Sequence, residues 1–198
     1  MTPMNLDAIR AKAQAWTQAP YDAETRNAVQ RMLDDADTTP LLEAFHQDLA
    51  FGTGGMRGIM GPGTNRMNAA VVAVATQGLA DYIAVHHPGD KAVAIAHDSR
   101  HDSDTYTQVA AEVLAGNGIV AYVFEGLRPT PELSFAIRQL GCQAGIVITA
   151  SHNPKEYNGY KVYWGDGGQI VPPHDKGIIT CVRAVKGLEA VKRADAAD

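Results

Sequence analysis

Residues 145–164 read GIVITASHNPKEYNGYKVYW. The stretch opens as a buried strand, with the β-branched run Ile146-Val147-Ile148. It then turns abruptly to Thr149, Ala150, Ser151, His152, Asn153 and Pro154, all small, polar or rigid. Tyr160–Trp164 resumes a strand pattern, close enough to pair antiparallel with the first strand at the edge of a sheet. Upstream, KAVAIA (91–96) and IVAYVF (119–124) are two further apolar runs of strand length. Helices separate them. Asp102 or Ser103 caps one that Gly116 and Gly118 end, and Thr130-Pro131-Glu132 opens another that Gly141 closes. Strands alternating with helices of about 10–15 residues imply right-handed βαβ crossovers. The fold class is α/β: a mixed, mostly parallel sheet flanked by helices.

Further upstream, residues 1–50 read as a helical N-terminal extension. Thr39 before Pro40 marks an N-cap with proline at the first helical position, and Leu41, Leu42, Phe45 and Leu49 give one apolar face. Leu6–Gln18 and Ala23–Ala36 are more polar helices. Residues 51–198 form the α/β domain. Its opening segment, FGTGGMRGIMGPGTNRMN (51–68), holds six glycines together with Arg57 and Arg66. A helix over 69–86 follows, with Val71, Val74, Ala75, Leu79, Tyr82 and Ile83 on or near one face.

Composition narrows the function classes. The 198 residues are 45% hydrophobic and 20% charged, ordinary for a globular protein. A net charge of −5 with no basic stripe argues against nucleic acid, whereas anionic small molecules need only a few local cations. Cys142 and Cys181 lie far apart without metal-ligand spacing, which favours free thiols in a reducing compartment. MTPMNLDAIRAKAQAW lacks the apolar core of a signal peptide, and no 18-residue apolar run is evident. The expectation is a cytoplasmic protein with no membrane partner.

In open α/β sheets ligands bind beyond the carboxyl ends of the strands. Three such ends are visible: His97–Arg100, Glu125–Arg128 and Thr149–Asn153, all polar and all on one edge. Ser151 and His152 are adjacent in an A-S-H context, not G-x-S-x-G, which disfavours a serine hydrolase. His97, Asp98, His101 and Asp102 read more simply as loop polar residues and a helix cap than as a metal cluster. The glycines at 52–55 join no strand to a helix, and there is no Gly-Lys-Ser/Thr, so dinucleotide and Walker loops are excluded. Phosphate chemistry is left. Glycines let backbone N–H groups approach an anion, arginines supply planar donors, and a strand-end serine either carries a phosphoryl group or is a hydrogen-bonded loop residue.

FGTGGMRG (51–58), Asp98-Ser-Arg100, Arg128-Pro-Thr-Pro131, TASHNP (149–154) and NGYKVY (158–163) together resemble the first domain of the α-D-phosphohexomutases, the phosphoglucomutase and phosphomannomutase family. The helical lead-in and FGTGGMRG look most like the bacterial phosphoglucomutase branch related to phosphopentomutases. The resemblance implies that Ser151 is a phosphoserine exchanging phosphoryl groups with a sugar phosphate through a bisphosphate intermediate. It places His152 and Asn153 in that loop, with Arg57 and Lys161 beside it for proton transfer and charge stabilisation. Arg100, Arg128, Gly54 and Gly55 are expected to bind phosphate. Lys161 otherwise reads as a solvated edge-strand residue, and Arg66, Arg100 and Arg128 read equally as ion-pair partners; His97 reads as structural. Sugar phosphates and hexose bisphosphate are the implied partners, and the interconversion is of hexose 1-phosphate and 6-phosphate, with pentose phosphate as the alternative substrate. A non-catalytic phosphosugar-binding module is the rival reading.

Family members have four domains, with a DGDxDR-type loop supplying three aspartates to Mg²⁺. Here only Gly165-Asp166-Gly167-Gly168 is present, and the later sugar-selecting and phosphate-binding loops are absent. The expectation is a first domain whose remaining domains lie elsewhere on the same polypeptide. Ser151 or its phosphate would give Mg²⁺ one ligand, and the isolated chain would be inactive.

Overall fold

The computed structural model describes residues 5–194. Five strands form one sheet: β1 (Gly55–Ile59), β2 (Ala92–His97), β3 (Val120–Val123), β4 (Ala144–Ile148) and β5 (Tyr157–Trp164), in the order β1-β5-β4-β2-β3. β2 is parallel to both β3 and β4, whereas β5 is antiparallel to β4 and β1 is antiparallel to β5. The fold class is therefore as read from the sequence, α/β with a mixed sheet. Two expectations are corrected. β5 pairs with β4 but is not the edge, because the glycine-rich segment contributes β1 outside it. Lys161 thus lies on an interior strand.

The helices are α1 (Leu6–Gln14), α2 (Ala23–Asp34), α3 (Thr39–Phe45), α4 (Ala69–His86), α5 (Ser103–Gly116), α6 (Thr130–Gln139) and α7 (His174–Ala184). Asn5, Asp22 and Asn68 cap α1, α2 and α4, each accepting a first-turn N–H at 2.8–3.2 Å. The cap position of α3 is Thr38, not Thr39, and its side chain makes no capping bond. α3 ends at Phe45, so Leu49 lies beyond the helical face assigned to it. Asp102 precedes α5 in a left-handed conformation, φ 60°, without a side-chain capping bond.

Alternation of side chains sorts the sheet's two faces. Val93, Ile95, Ile146, Ile148, Tyr160 and Val162 are buried with α4 and α5 in the main core, and Ile178 of α7 joins them from behind α4. Ala94, Ala96, Val147 and Tyr163 face Leu133 and Ile137 of α6 on the other side. The N-terminal helices have a core of their own around Ile9, Trp16, Val29, Leu41 and Phe45, which meets the start of α4 at Ala70 and Val71. α4 has 18 residues and a mean hydropathy of 1.3, long and apolar enough to cross a membrane, contrary to the sequence reading. In this fold it is the central core helix, with Val72, Leu79 and Ile83 fully buried.

Candidate active site

β4 carries its apolar run to Ile148 and releases the chain as the loop 149–156, which returns into β5. At the loop's apex Ser151 is exposed and held at φ 59°, a left-handed conformation that a residue with a side chain rarely adopts. Its N–H donates to the Thr149 hydroxyl at 2.9 Å, and Asn153 N–H closes a turn on the Ala150 carbonyl at 3.1 Å. Strain of this sort persists only where the surroundings over-determine it. His152 is exposed next to Ser151 on the same loop.

The other functional side chains arrive through strand register. Gly55 sits opposite Lys161 and Arg57 opposite Gly159, while Lys161 also faces Val147 of β4. Cross-strand partners share a face, as do residues two apart, so Arg57, Lys161 and the approach to Ser151 through Val147 and Thr149 lie on one face of the sheet. Arg57 Nη1 donates to Asn153 Oδ1 at 2.9 Å, which ties the guanidinium to the Ser151 loop. Gly159 makes this closeness possible. A Cβ there would lie 2.5 Å from the Thr149 carbonyl oxygen.

Gly54 and Gly55 shape a turn. Gly52 and Gly55 exchange both backbone hydrogen bonds, at 2.8 and 3.1 Å. Gly54 has φ 90° and Gly55 φ 135°, both suited to glycine, and the Gly54 carbonyl accepts from Val162 N–H at 3.0 Å and Gln169 Nε2 at 3.2 Å. The Gly55 amide is consumed inside the turn, so the expected anion contact through it is not on offer. Thr53, in the same turn, donates to the buried carboxylate of Asp175 at 3.3 Å.

Arg100 and Arg128, expected either as phosphate ligands or as ion-pair partners, both make ion pairs here. Arg100 donates to the carbonyls of Ser151, Asn153, Pro154 and Tyr157 and pairs with Asp98, so it binds the loop from behind. Arg128 pairs with Glu132 at 3.2 Å and lies over the Phe124 ring. Arg66 pairs with Glu43 at 2.9 Å. Thr149, Ser103 and Asn158 act as loop supports, a role not assigned from the sequence although TASHNP, NGYKVY and the candidate cap at Ser103 contain them. Among the described residues no three His, Cys, Asp or Glu side chains are placed to hold a metal ion. Ser151 alone does not make the near-octahedral oxygen set that Mg²⁺ requires.

A cleft of about 310 Å³ is lined by His97, Asp98, Ser99, Arg100, His101 and Leu127 among others, and Arg100 links it to the Ser151 loop. A larger apolar cavity of about 600 Å³ lies elsewhere, between the N-terminal helices, α4 and α7, and contains neither Ser151 nor any of the cations around it. The smaller cleft does not contain Ser151, Arg57 or Lys161 either, so the candidate site is defined by the loop and the strand register and not by a cavity.

Comparison with known proteins gives the family. Residues 48–188 match the family described as phosphoglucomutase/phosphomannomutase, alpha/beta/alpha domain I. A probable phosphoribomutase of Schizosaccharomyces pombe is 44% identical, over 84% of this chain and 29% of its own. A phosphoglucomutase of Staphylococcus saprophyticus is 42% identical, over 76% of this chain and 27% of its own. The crystal structure of a putative phosphomannomutase from Thermus thermophilus superposes with a TM-score of 0.66 at 30% identity, covering 75% of this chain and 32% of that one. The chain thus spans less than a third of the relatives it matches, and over that span it belongs to the phosphoglucomutase/phosphomannomutase family as its α/β/α domain I.

Proposed function

We propose that this domain carries the phosphoryl-transfer centre of a sugar-phosphate mutase, an intramolecular phosphotransferase interconverting hexose 1-phosphate and hexose 6-phosphate. The observation that supports it is the exposed, left-handed Ser151 at the end of β4, with Arg57 bonded to its loop and Lys161 on the same face. In the first half-reaction the free hydroxyl oxygen of the sugar phosphate bonds to phosphorus as the P–Oγ bond of phospho-Ser151 breaks. The hydroxyl proton leaves that oxygen and Ser151 Oγ regains one, with Lys161 as the relay. The resulting bisphosphate turns over and returns its other phosphoryl group to Ser151 by the reverse step. Phosphoryl transfer asks the protein for positioning and for cationic charge around the equatorial oxygens, and Arg57 supplies the latter.

Mg²⁺ belongs to this reading, with one ligand from Ser151 or its phosphate and the others from parts of the protein outside this chain. When bound it would neutralise charge on the phosphoryl group. A pentose phosphate is the second candidate substrate, favoured by the similarity to a probable phosphoribomutase. The test is a coupled mutase assay on a full-length protein carrying this domain, with glucose 1-phosphate and ribose 1-phosphate as alternative substrates. Turnover is expected with one of them and none after Ser151→Ala, while Lys161→Ala and Arg57→Ala slow it without unfolding the domain. Near-wild-type kinetics for Ser151→Ala would overturn the assignment, and binding of sugar phosphate without any turnover would favour the non-catalytic module.

A further inference from the structure

The Ser151 loop hangs on Arg100. Nη1 donates to the carbonyls of Pro154 at 2.8 Å and Tyr157 at 3.0 Å, and Nη2 to those of Ser151 at 2.9 Å and Asn153 at 2.7 Å. Nε pairs with the Asp98 carboxylate at 3.2 Å. A guanidinium has five N–H donors; the four on Nη1 and Nη2 all go to main-chain carbonyls, and Nε faces the ion-pair partner. The anchor is itself fixed. Asp98 Oδ1 accepts from the Arg100 amide at 2.9 Å and from Ser103 Oγ at 2.8 Å, and Ser103 Oγ accepts from Asn158 Nδ2 at 3.0 Å. Asn158 Nδ2 also donates to the His101 carbonyl at 3.0 Å, and its Oδ1 accepts Gly159 N–H at 2.8 Å. Ser103 and Asn158 are fully buried, so their geometry is set by packing as well as by bonding.

The network therefore begins and ends in the segment it shapes, running from the start of β5 through the N-terminus of α5 and the end of β2 into the loop. Its effect is to gather four carbonyl oxygens of residues 151–157 onto one cation. Those lone pairs are the groups that would repel a phosphate dianion, and here they are turned to the guanidinium. It also pins the chain leaving the left-handed Ser151, through the Ser151 and Asn153 carbonyls, while the Thr149 hydroxyl holds the Ser151 N–H on the other side.

We infer that Arg100 is a positioning residue for the phosphoryl transfer at Ser151: with Asp98, Ser103 and Asn158 behind it, it is the template on which the loop folds, and it is not a ligand of the substrate phosphate. This rests on Ser151 being the phosphoryl carrier. The distinction from a phosphate-binding cation is chemical. Lysine keeps the charge but presents a compact ammonium with three donors and cannot span four carbonyls.

The experiment has two arms on Arg100→Lys, Arg100→Ala and the milder Asp98→Asn. In hydrogen exchange on the 198-residue chain, both Arg100 variants should speed exchange of the 151–157 amides by roughly tenfold or more while β2 and β4 stay protected. Asp98→Asn should fall between them and wild type. In the mutase assay on a full-length protein, kcat should fall by about tenfold or more with KM for the sugar phosphate little changed, and lysine should rescue no better than alanine. A phosphate ligand behaves oppositely, with KM raised and lysine recovering most of the loss; that outcome, or unchanged loop exchange in Arg100→Ala, overturns the proposal. Retained turnover in Ser151→Ala would instead remove the phosphoserine reading, and loop exchange would still decide whether Arg100 is the template.

Discussion

Gly159→Ala is the sharpest test of the packing that brings the Ser151 loop to the cations of β1 and β5. Gly159 is buried in β5, with β1 on one side and the exit of β4 on the other. A methyl group there would sit 2.5 Å from the Thr149 carbonyl oxygen and 3.0 Å from that of Met56. Neither is the free end of a flexible side chain. A carbon–oxygen contact settles at about 3.3–3.6 Å, so the β4 exit must retreat by roughly an ångström. That retreat strains the 2.9 Å bond from Thr149 N–H to the Gly159 carbonyl. Overpacking of this kind costs about 1–3 kcal/mol, and the reduced freedom of the unfolded chain offsets about 0.4–1 kcal/mol of it. A net loss of about 1–2 kcal/mol lowers the melting temperature by about 2–8 °C in a chain of this size. The assay is thermal unfolding followed by circular dichroism, with Gly89→Ala as the control, since nothing lies within 4 Å of a Cβ at Gly89. A Gly159→Ala protein that melts with or above wild type, and no lower than the control, would show that the β4 exit accommodates a Cβ at 159 without strain.

Two further outcomes follow from the core and its rim. The Tyr160 hydroxyl is fully buried and bonded to the Thr76 hydroxyl at 3.1 Å, and burial drives its pKa far up, so it stays neutral at any ordinary pH. Tyr160→Phe should cost about 1 kcal/mol, read as a lower urea midpoint at unchanged slope. His87 is held below its usual pKa range by burial first, and then by His86, His174 and Lys91. A histidine depressed in the folded state binds fewer protons there than in the unfolded chain, so its contribution is present above the ordinary value of about 6.5 and is lost as pH falls below it. The urea midpoint should therefore drop on going from about pH 7.5 to about pH 5.5, and His87→Gln should flatten that slope; an unchanged slope would contradict the assignment.

The alternation from β2 through α5, β3 and α6 to β4 was legible because each element carries its own period and its own Gly or Pro punctuation. β1 was not. GMRGI holds two glycines in five residues and becomes a strand by adding to β5, where Gly55 lets the backbone approach the Tyr160 carbonyl. A side chain at Gly55 would reach that oxygen. α7 follows Pro172-Pro173 and depends on Gly177 meeting the Tyr82 ring, a contact made far along the chain. Ser151, Arg57 and Lys161 were nameable as residues, but their shared face depends on the β1–β5 register. Arg100 could be read either as a phosphate cation or as an ion-pair partner; its main-chain carbonyl partners were not legible, because a sequence does not show which carbonyls a fold will bring together.

Whether Ser151 carries the phosphoryl group can be read directly. A full-length protein carrying this domain should be treated with glucose 1,6-bisphosphate, mapped for phosphate by tandem mass spectrometry, and then chased with the sugar phosphate it turns over. Phosphate is expected on the Ser151 peptide, none there in Ser151→Ala, and its loss on the chase. Turnover with phosphate on another residue, or with no phosphate on the protein at any stage, would contradict the Ser151 assignment.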